Sequence, residues 1–182
     1  MKKYGKAFRL TIGMIMGIIA LLAAASERDK YSLTAPNGLS FGVIQGYQSW
    51  QLVASHYRTD KSELRFIFGN KQAIDAYLSG AGKQTKPFPD GSLIVKTGYS
   101  IDSNPDFPSS IEPAQLQRVE VMVKDSKKFQ ATGGWGYARF LYDANSATFS
   151  PYGKDSTVAT ECYSCHLIVA KKDYVFTDYV PR

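Results

Sequence analysis

The sequence predicts an α+β domain built mainly on an antiparallel β-sheet with a few short helices. Three observations carry that prediction. Residues 116–124 alternate, with Val119, Val121 and Val123 on one side and Arg118, Glu120 and Met122 on the other, which is the period of a strand. Further short runs rich in β-forming residues recur between Gly, Pro and Asn turn signals. No segment carries the long heptad-like stripe of a helix bundle. With 182 residues, 44% hydrophobic and 21% charged, the chain has the composition of one globular domain rather than a disordered segment. Aromatic residues, at 13%, supply bulk for a core, and two cysteines cannot build a disulfide scaffold.

The first 25 residues read as an export signal. Lys2, Lys3, Lys6 and Arg9 precede the uncharged run TIGMIMGIIALLAAA at 11–25, which ends in the small residues Ala23-Ala24-Ala25. The run is shorter than the ~20 residues a membrane span needs, so cleavage near Ser26 is favoured over a retained anchor. No cysteine follows the run to take a lipid. The expected mature domain is therefore 26–182, in the periplasm. The net charge of +6 is mostly a property of this signal. Residues 26–182 hold 18 basic and 16 acidic residues, a net of +2, which gives no basic face for nucleic acid.

Further along, Leu64-Arg65-Phe66-Ile67-Phe68 reads as a strand ended by Gly69-Asn70. Ile74, Tyr77 and Leu78 at i, i+3 and i+4 predict a short amphipathic helix over 71–79. Pro87 to Gly91 is a turn, and 92–101 a strand. Residues 102–115 hold three prolines and read as a loop. After the strand at 116–124, Gly133-Gly134 opens another at 135–142. Residues 143–157 are turn-rich, 158–170 predicts a helix, and 174–176 is strand-like.

The chemistry is concentrated at Cys162-Tyr163-Ser164-Cys165-His166, a C-x-x-C-H motif that uses both cysteines and one of the two histidines of the chain. This is the attachment motif of c-type haem. Two thiols one helical turn apart add to the two haem vinyl groups, and the adjacent imidazole of His166 ligates the iron. The reading is one covalent haem c. A redox C-x-x-C would want a βαβ context, and a zinc site would lack a fourth ligand, since His56 is the only other imidazole. No Met or His follows His166. Met122 reads as core, and His56 as a surface or hydrogen-bonding residue before a ligand. The iron is thus expected to be five-coordinate, with an open face that binds or transforms small molecules.

Several segments then make a wider pattern: Gly46-Tyr47-Gln48-Ser49-Trp50, Pro89 to Lys96, Val119 to Asp125, Gly133 to Phe140, and the haem motif followed by Lys172 to Thr177. In this order they resemble the cytochrome P-460 family, which includes the cytochromes c′-beta. The resemblance implies antiparallel-sheet homodimers with one haem per subunit. It implies oxidation of hydroxylamine to nitrous oxide or nitrite, with electrons passed to a soluble redox partner. It also implies a lysine joined to a meso carbon of the porphyrin, matched by Lys96, a distal carboxylate that relays protons, matched by Glu120, and a distal arginine, matched by Arg65. The c′-beta relatives lack the cross-link, line the distal face with Phe and bind nitric oxide, which is the alternative activity. Without the resemblance, Lys96 would read as a strand-end lysine in water, and Glu120 as a solvated acid paired with Arg118 or Lys124. Trp135 reads as core, and Lys171-Lys172 as a solvated helix end.

Overall fold

The computed structural model describes residues 30–83 and 86–181. The signal expected at 1–25 lies outside them. Six strands run in sequence order as one antiparallel meander: β1 (Gln51–Arg58), β2 (Glu63–Gly69), β3 (Leu93–Ser103), β4 (Ile111–Lys124), β5 (Trp135–Asp143) and β6 (Thr148–Pro151). Among the described residues, two complete α-helices accompany them, α1 (Lys71–Leu78) and α2 (Thr157–His166), with short 3₁₀ turns. The architecture is the α+β, mainly antiparallel fold that the alternation of 116–124 predicted. Among the described residues no helix is long and apolar enough to cross a membrane.

α1 starts where Asn70 caps it, its Oδ1 accepting from Ala73 N at 2.9 Å and from Leu93 N at 3.1 Å. One side chain therefore both opens the helix and ties it to β3. The helix buries Ala73, Ile74, Ala76 and Tyr77.

Both faces of the sheet are covered. Val95, Val119, Val121, Ala138 and Phe140 pack on one face against Leu39, Phe41, Ile44 and Tyr47 from the N-terminal segment. The opposite face meets α1, Phe88 and the C-terminal segment through Ile67, Ile94, Trp135 and Tyr137. α2 lies beside β5 on this second side.

The structure corrects several element boundaries. The loop expected at 102–115 is mostly strand, because β3 runs on to Ser103 and β4 begins at Ile111. Asn104 closes this hairpin by accepting from Asp106 N at 2.8 Å and Phe107 N at 3.1 Å. Pro113 is tolerated because β4 has a neighbour only on its β3 side at that point. β6 lies in the stretch read as turns, and β1 carries no clean alternation to mark it. The helix expected at 158–170 ends at His166 and continues as a 3₁₀ turn over Leu167–Lys172, kinked at Val169. Residues 174–176 are irregular, and they leave that turn through Asp173 and Tyr174, both with positive φ.

Candidate haem site

A cavity of about 700 Å³ opens between α2 and the second face of the sheet. It is lined by Lys96, Glu120, Arg65, Cys162, Cys165 and His166, together with His56, Arg139 and Tyr137. The C-x-x-C-H motif occupies the last turn of α2, so its three reactive side chains sit at i, i+3 and i+4 on one helical face. Of the ten residues of α2, only Val158 is buried. The two cysteines form no disulfide with each other. Burial raises the Cys162 thiol above its ordinary pKa.

His166 is held on the opposite edge of its ring. Its Nδ1 is 2.6 Å from the carbonyl oxygen of Tyr174, which can only accept, so Nδ1 carries the proton and the lone pair lies on Nε2. The rings of Tyr137 and Phe176 flank the imidazole with centroids 5.0 Å away. Burial lowers the pKa of His166, more than the bond to Tyr174 raises it, which favours the neutral form.

The Tyr174 carbonyl reaches His166 because Asp173 and Tyr174 adopt left-handed backbone, with φ of 51° and 65°. Such residues cost roughly 1–3 kcal/mol each. The surroundings hold them there. Lys124 Nζ donates to Asp173 at 2.7 and 2.9 Å, Phe88 N donates at 2.8 Å, and Trp135 Nε1 donates to the Asp173 carbonyl at 2.9 Å. Gly133, with φ of 68°, leaves room for the Tyr174 ring, where a Cβ would come within 2.2 Å of it. Lys124 is therefore a buried anchor, 5% exposed, and not a partner of Glu120.

The facing wall is built from cross-strand pairs. Ile67, Lys96, Glu120 and Arg139 stand directly opposite one another across β2 to β5, and so project from the same face. Lys96 Nζ is 2.7 Å from Glu120 Oε2, and Arg139 Nε donates to Oε1 at 2.8 Å. The Glu120 side chain is 14% exposed. The solvated position that its alternation alone suggested is thus replaced by a cavity wall. A strand face opposite valines reads as water-facing only if nothing covers it, and here α2 and the C-terminal segment do. Burial would raise the Glu120 carboxyl, but Lys96, Arg139 and Arg118 outweigh it and hold the group at about 2. Burial lowers the Lys96 ammonium, and Arg65 and Arg118 add to this against the pull of Glu120.

Arg65 donates through Nε to Glu63, and Arg118 Nη2 lies 2.5 Å from the same carboxylate. His56 stands opposite Arg65 at the cavity rim; it is exposed, its pKa lowered by burial and by Arg65 and Lys96. Met122 packs partly buried against the second core and also lines the cavity. Lys172 is less solvated than a helix end suggests, with its Nζ 2.8 Å from Asp178.

These residues fit a haem. The helix presents two thiols and an imidazole whose free nitrogen is Nε2. Arg58, Arg65, Lys96 and Arg139 line the cavity with Glu120 and Glu161, so the lining is net cationic and suits a carboxylate-bearing haem. Among the described residues no group of three or more His, Cys, Asp or Glu converges to hold a bare metal ion.

A family model described as Cytochrome P460 matches residues 44–177, most of the chain. The chain belongs to the cytochrome P460 family. Among curated proteins no match is found. Family membership implies a haem cofactor and relates the protein to hydroxylamine-oxidising cytochromes. In this cytochrome P460, α2 supplies the motif side and β2 to β5 supply the polar side. Arg139, Arg118, Glu63 and the Lys124–Asp173 anchor carry no assigned role in the motif reading. The available signal was a set of charged residues inside otherwise apolar strands, such as Arg139 in WGYARFLY.

Proposed function

We propose that this protein is an exported c-type cytochrome that oxidises hydroxylamine at an open haem face. Cys162 and Cys165 would hold the haem through thioether links, and His166 would offer its Nε2 to the iron. The observation that carries the reading is the Lys96–Glu120 pair, 2.7 Å apart, in the wall across the cavity from the C-x-x-C-H helix. When bound, haem supplies an electron acceptor and a coordination position for the substrate nitrogen. Oxidation to nitrous oxide or nitrite strips protons together with electrons. Glu120 accepts protons, Arg65 orients the substrate, and the electrons leave to a soluble redox partner.

Lys96 would be the residue that holds the porphyrin edge. Exchanging one N–H and one meso C–H bond for a C–N bond removes two electrons and two protons, so it consumes an external two-electron oxidant such as dioxygen or a peroxide. Burial favours the neutral amine that this bond needs. The bond has a second effect. A carboxyl held at about 2 is a weak base, and its strongest cationic neighbour is Lys96. An uncharged Lys96 would hold Glu120 less strongly, leaving Arg139 and Arg118 as its cations, and would let it accept protons more readily.

Proteolysis and mass spectrometry test the reading. Haem should travel with one peptide holding Cys162 and Cys165 and a second holding Lys96. Lys96→Leu should give an ordinary c-type spectrum, keep nitric oxide binding and lose hydroxylamine oxidation. Haem on the cysteine peptide alone, in turnover-competent protein, would remove the cross-link. A protein that binds nitric oxide without oxidising hydroxylamine would be a c′-beta-like gas binder instead.

A further inference from the structure

Glu63 is buried, 3% exposed, and no step above uses it. It sits at the start of β2, yet its carboxylate serves two strands. Oε1 accepts from Arg65 on β2 itself, and Oε2 is 2.5 Å from Arg118 Nη2 on β4. β3 lies between those strands. The side chain therefore has to pass over β3, and it does so at Gly98, which pairs with Arg65 on one side and Arg118 on the other. A Cβ at Gly98 would lie 3.2 Å from Glu63 Oε1, 3.3 Å from Cδ and 3.4 Å from Arg118 Cζ. The glycine is required for space and not for its backbone angles.

The Arg118 guanidinium thus stands between two carboxylates. It grips Glu63 closely, while its Nε stays 3.5 Å from Glu120 Oε2. Lys96 and Arg139 approach Glu120 more closely, at 2.7 and 2.8 Å. Glu120 Oε2 is held by Lys96 Nζ at 2.7 Å, and Arg118 stands one step further off. An arginine freed from Glu63 would gain a charge-assisted bond by closing onto this oxygen.

We propose that Glu63 is a positioning residue that restrains Arg118 across the gap at Gly98, so that Arg118 does not add to the hold of Lys96 on Glu120 Oε2 and the carboxylate can take a proton at the haem face. The inference rests on the reading of Glu120 as the proton acceptor. Two variants remove the restraint by different routes. Glu63→Gln deletes the charge that holds Arg118, and Gly98→Ala presses a methyl group against both the Glu63 carboxylate and the Arg118 guanidinium without changing any charge. In both, Arg118 closes on Glu120.

The test is the rate of cyanide association with the ferric, haem-loaded protein near neutral pH, where hydrogen cyanide passes its proton to a distal base as the anion binds. This readout needs no turnover. Glu63→Gln and Gly98→Ala should each slow association at least about tenfold, the low end for loss of a general base. Adding Arg118→Met to either should restore most of the loss, because the side chain that blocks Glu120 is then gone. Hydroxylamine kinetics on the same samples should show a fall in kcat with KM little changed. If Glu120→Gln slows cyanide but the two variants do not, or if Arg118→Met gives no recovery, the positioning role is wrong. If Glu120→Gln itself leaves cyanide association unchanged, the acceptor reading fails first. Glu63-dependent cyanide association in a protein that does not oxidise hydroxylamine would overturn the substrate and keep the positioning role.

Discussion

The two faces of the central strands are built from adjacent residues but obey different rules. Val95, Val119, Val121 and Phe140 point to one side and are almost entirely buried among aliphatic and aromatic groups. Their neighbours Lys96, Arg118, Glu120 and Arg139 point to the other and form a charge network around a cavity. The first face stabilises by excluding water, which is non-directional and tolerates exchange among shapes of similar volume. The second depends on partners: each buried charge is tolerable only while its counter-charge stays in place. A change on the dry face should therefore cost stability and leave the chemistry, whereas a change on the charged face should alter the chemistry and make stability depend on pH.

The largest expected effect is at the helix that closes the charged face. Replacing Cys162 and Cys165 with Ala should abolish stable haem retention, checked by extraction of the denatured protein with acidified organic solvent. Haem that leaves the wild-type polypeptide under the same treatment would break the covalent assignment.

Phe140→Ala tests the dry face. Phe140 is 0% exposed and its ring lies 4.7 Å from that of Phe41. The cavity it leaves should cost about 3–5 kcal/mol in urea unfolding. The haem spectrum of the protein that remains folded should be unchanged, and a large spectral shift would mean that the two faces are not separable.

Glu120 sharpens the comparison through pH. Its cationic neighbours hold it at about 2, below the ordinary 4.5. A depressed pKa means that the ionised form contributes stability above the unfolded value, and that this is lost as pH falls toward the folded one. The window is thus pH 4.5 down to 2, and the amount on the order of 3 kcal/mol. Glu120→Gln should lose correspondingly less than wild type across this window when protein of the same cross-link state is compared by denaturant titration. Parallel curves would show that the carboxylate is not held by its cations. A cross-linked sample, with Lys96 uncharged, should show a narrower window.

The smallest effect belongs to a pair outside both faces. Lys172 and Asp178 are 2.8 Å apart with side chains 31% and 64% exposed. Lys172→Ala should change stability by about 1 kcal/mol or less in a thermal melt. A larger loss would tie this pair to the Asp173–Tyr174 turn beneath His166.

Local patterns of sequence were enough for part of this. The C-x-x-C-H run dictates that two thiols and an imidazole share a helical face wherever the helix goes, since i, i+3 and i+4 coincide on any α-helix. The alternation in 116–124 was enough to put Val119 and Val121 in a core. The i, i+3 spacing of Ile74 and Tyr77 placed α1. The N-terminal export reading falls outside the described residues and rests on its charge and hydropathy pattern. By contrast, β1 and the far halves of the β3–β4 hairpin had no legible pattern. They are held by cross-strand hydrogen bonds, which residues 102–115 do not announce in their composition.

What only the tertiary structure decided is which polar strand residues leave water. Alternation states that Glu120 and Val121 face opposite ways, but it carries no information on what lies beyond either face. That depends on contacts between residues far apart in sequence: α2 and the C-terminal segment folding over the sheet, and Asp173 returning to Lys124. The same is true of Glu63, whose reach to Arg118 exists because Gly98 lies between them in space. Side-chain direction is a property of local backbone period. The dielectric around a charge, and hence its pKa and its chemistry, is a property of everything packed against it.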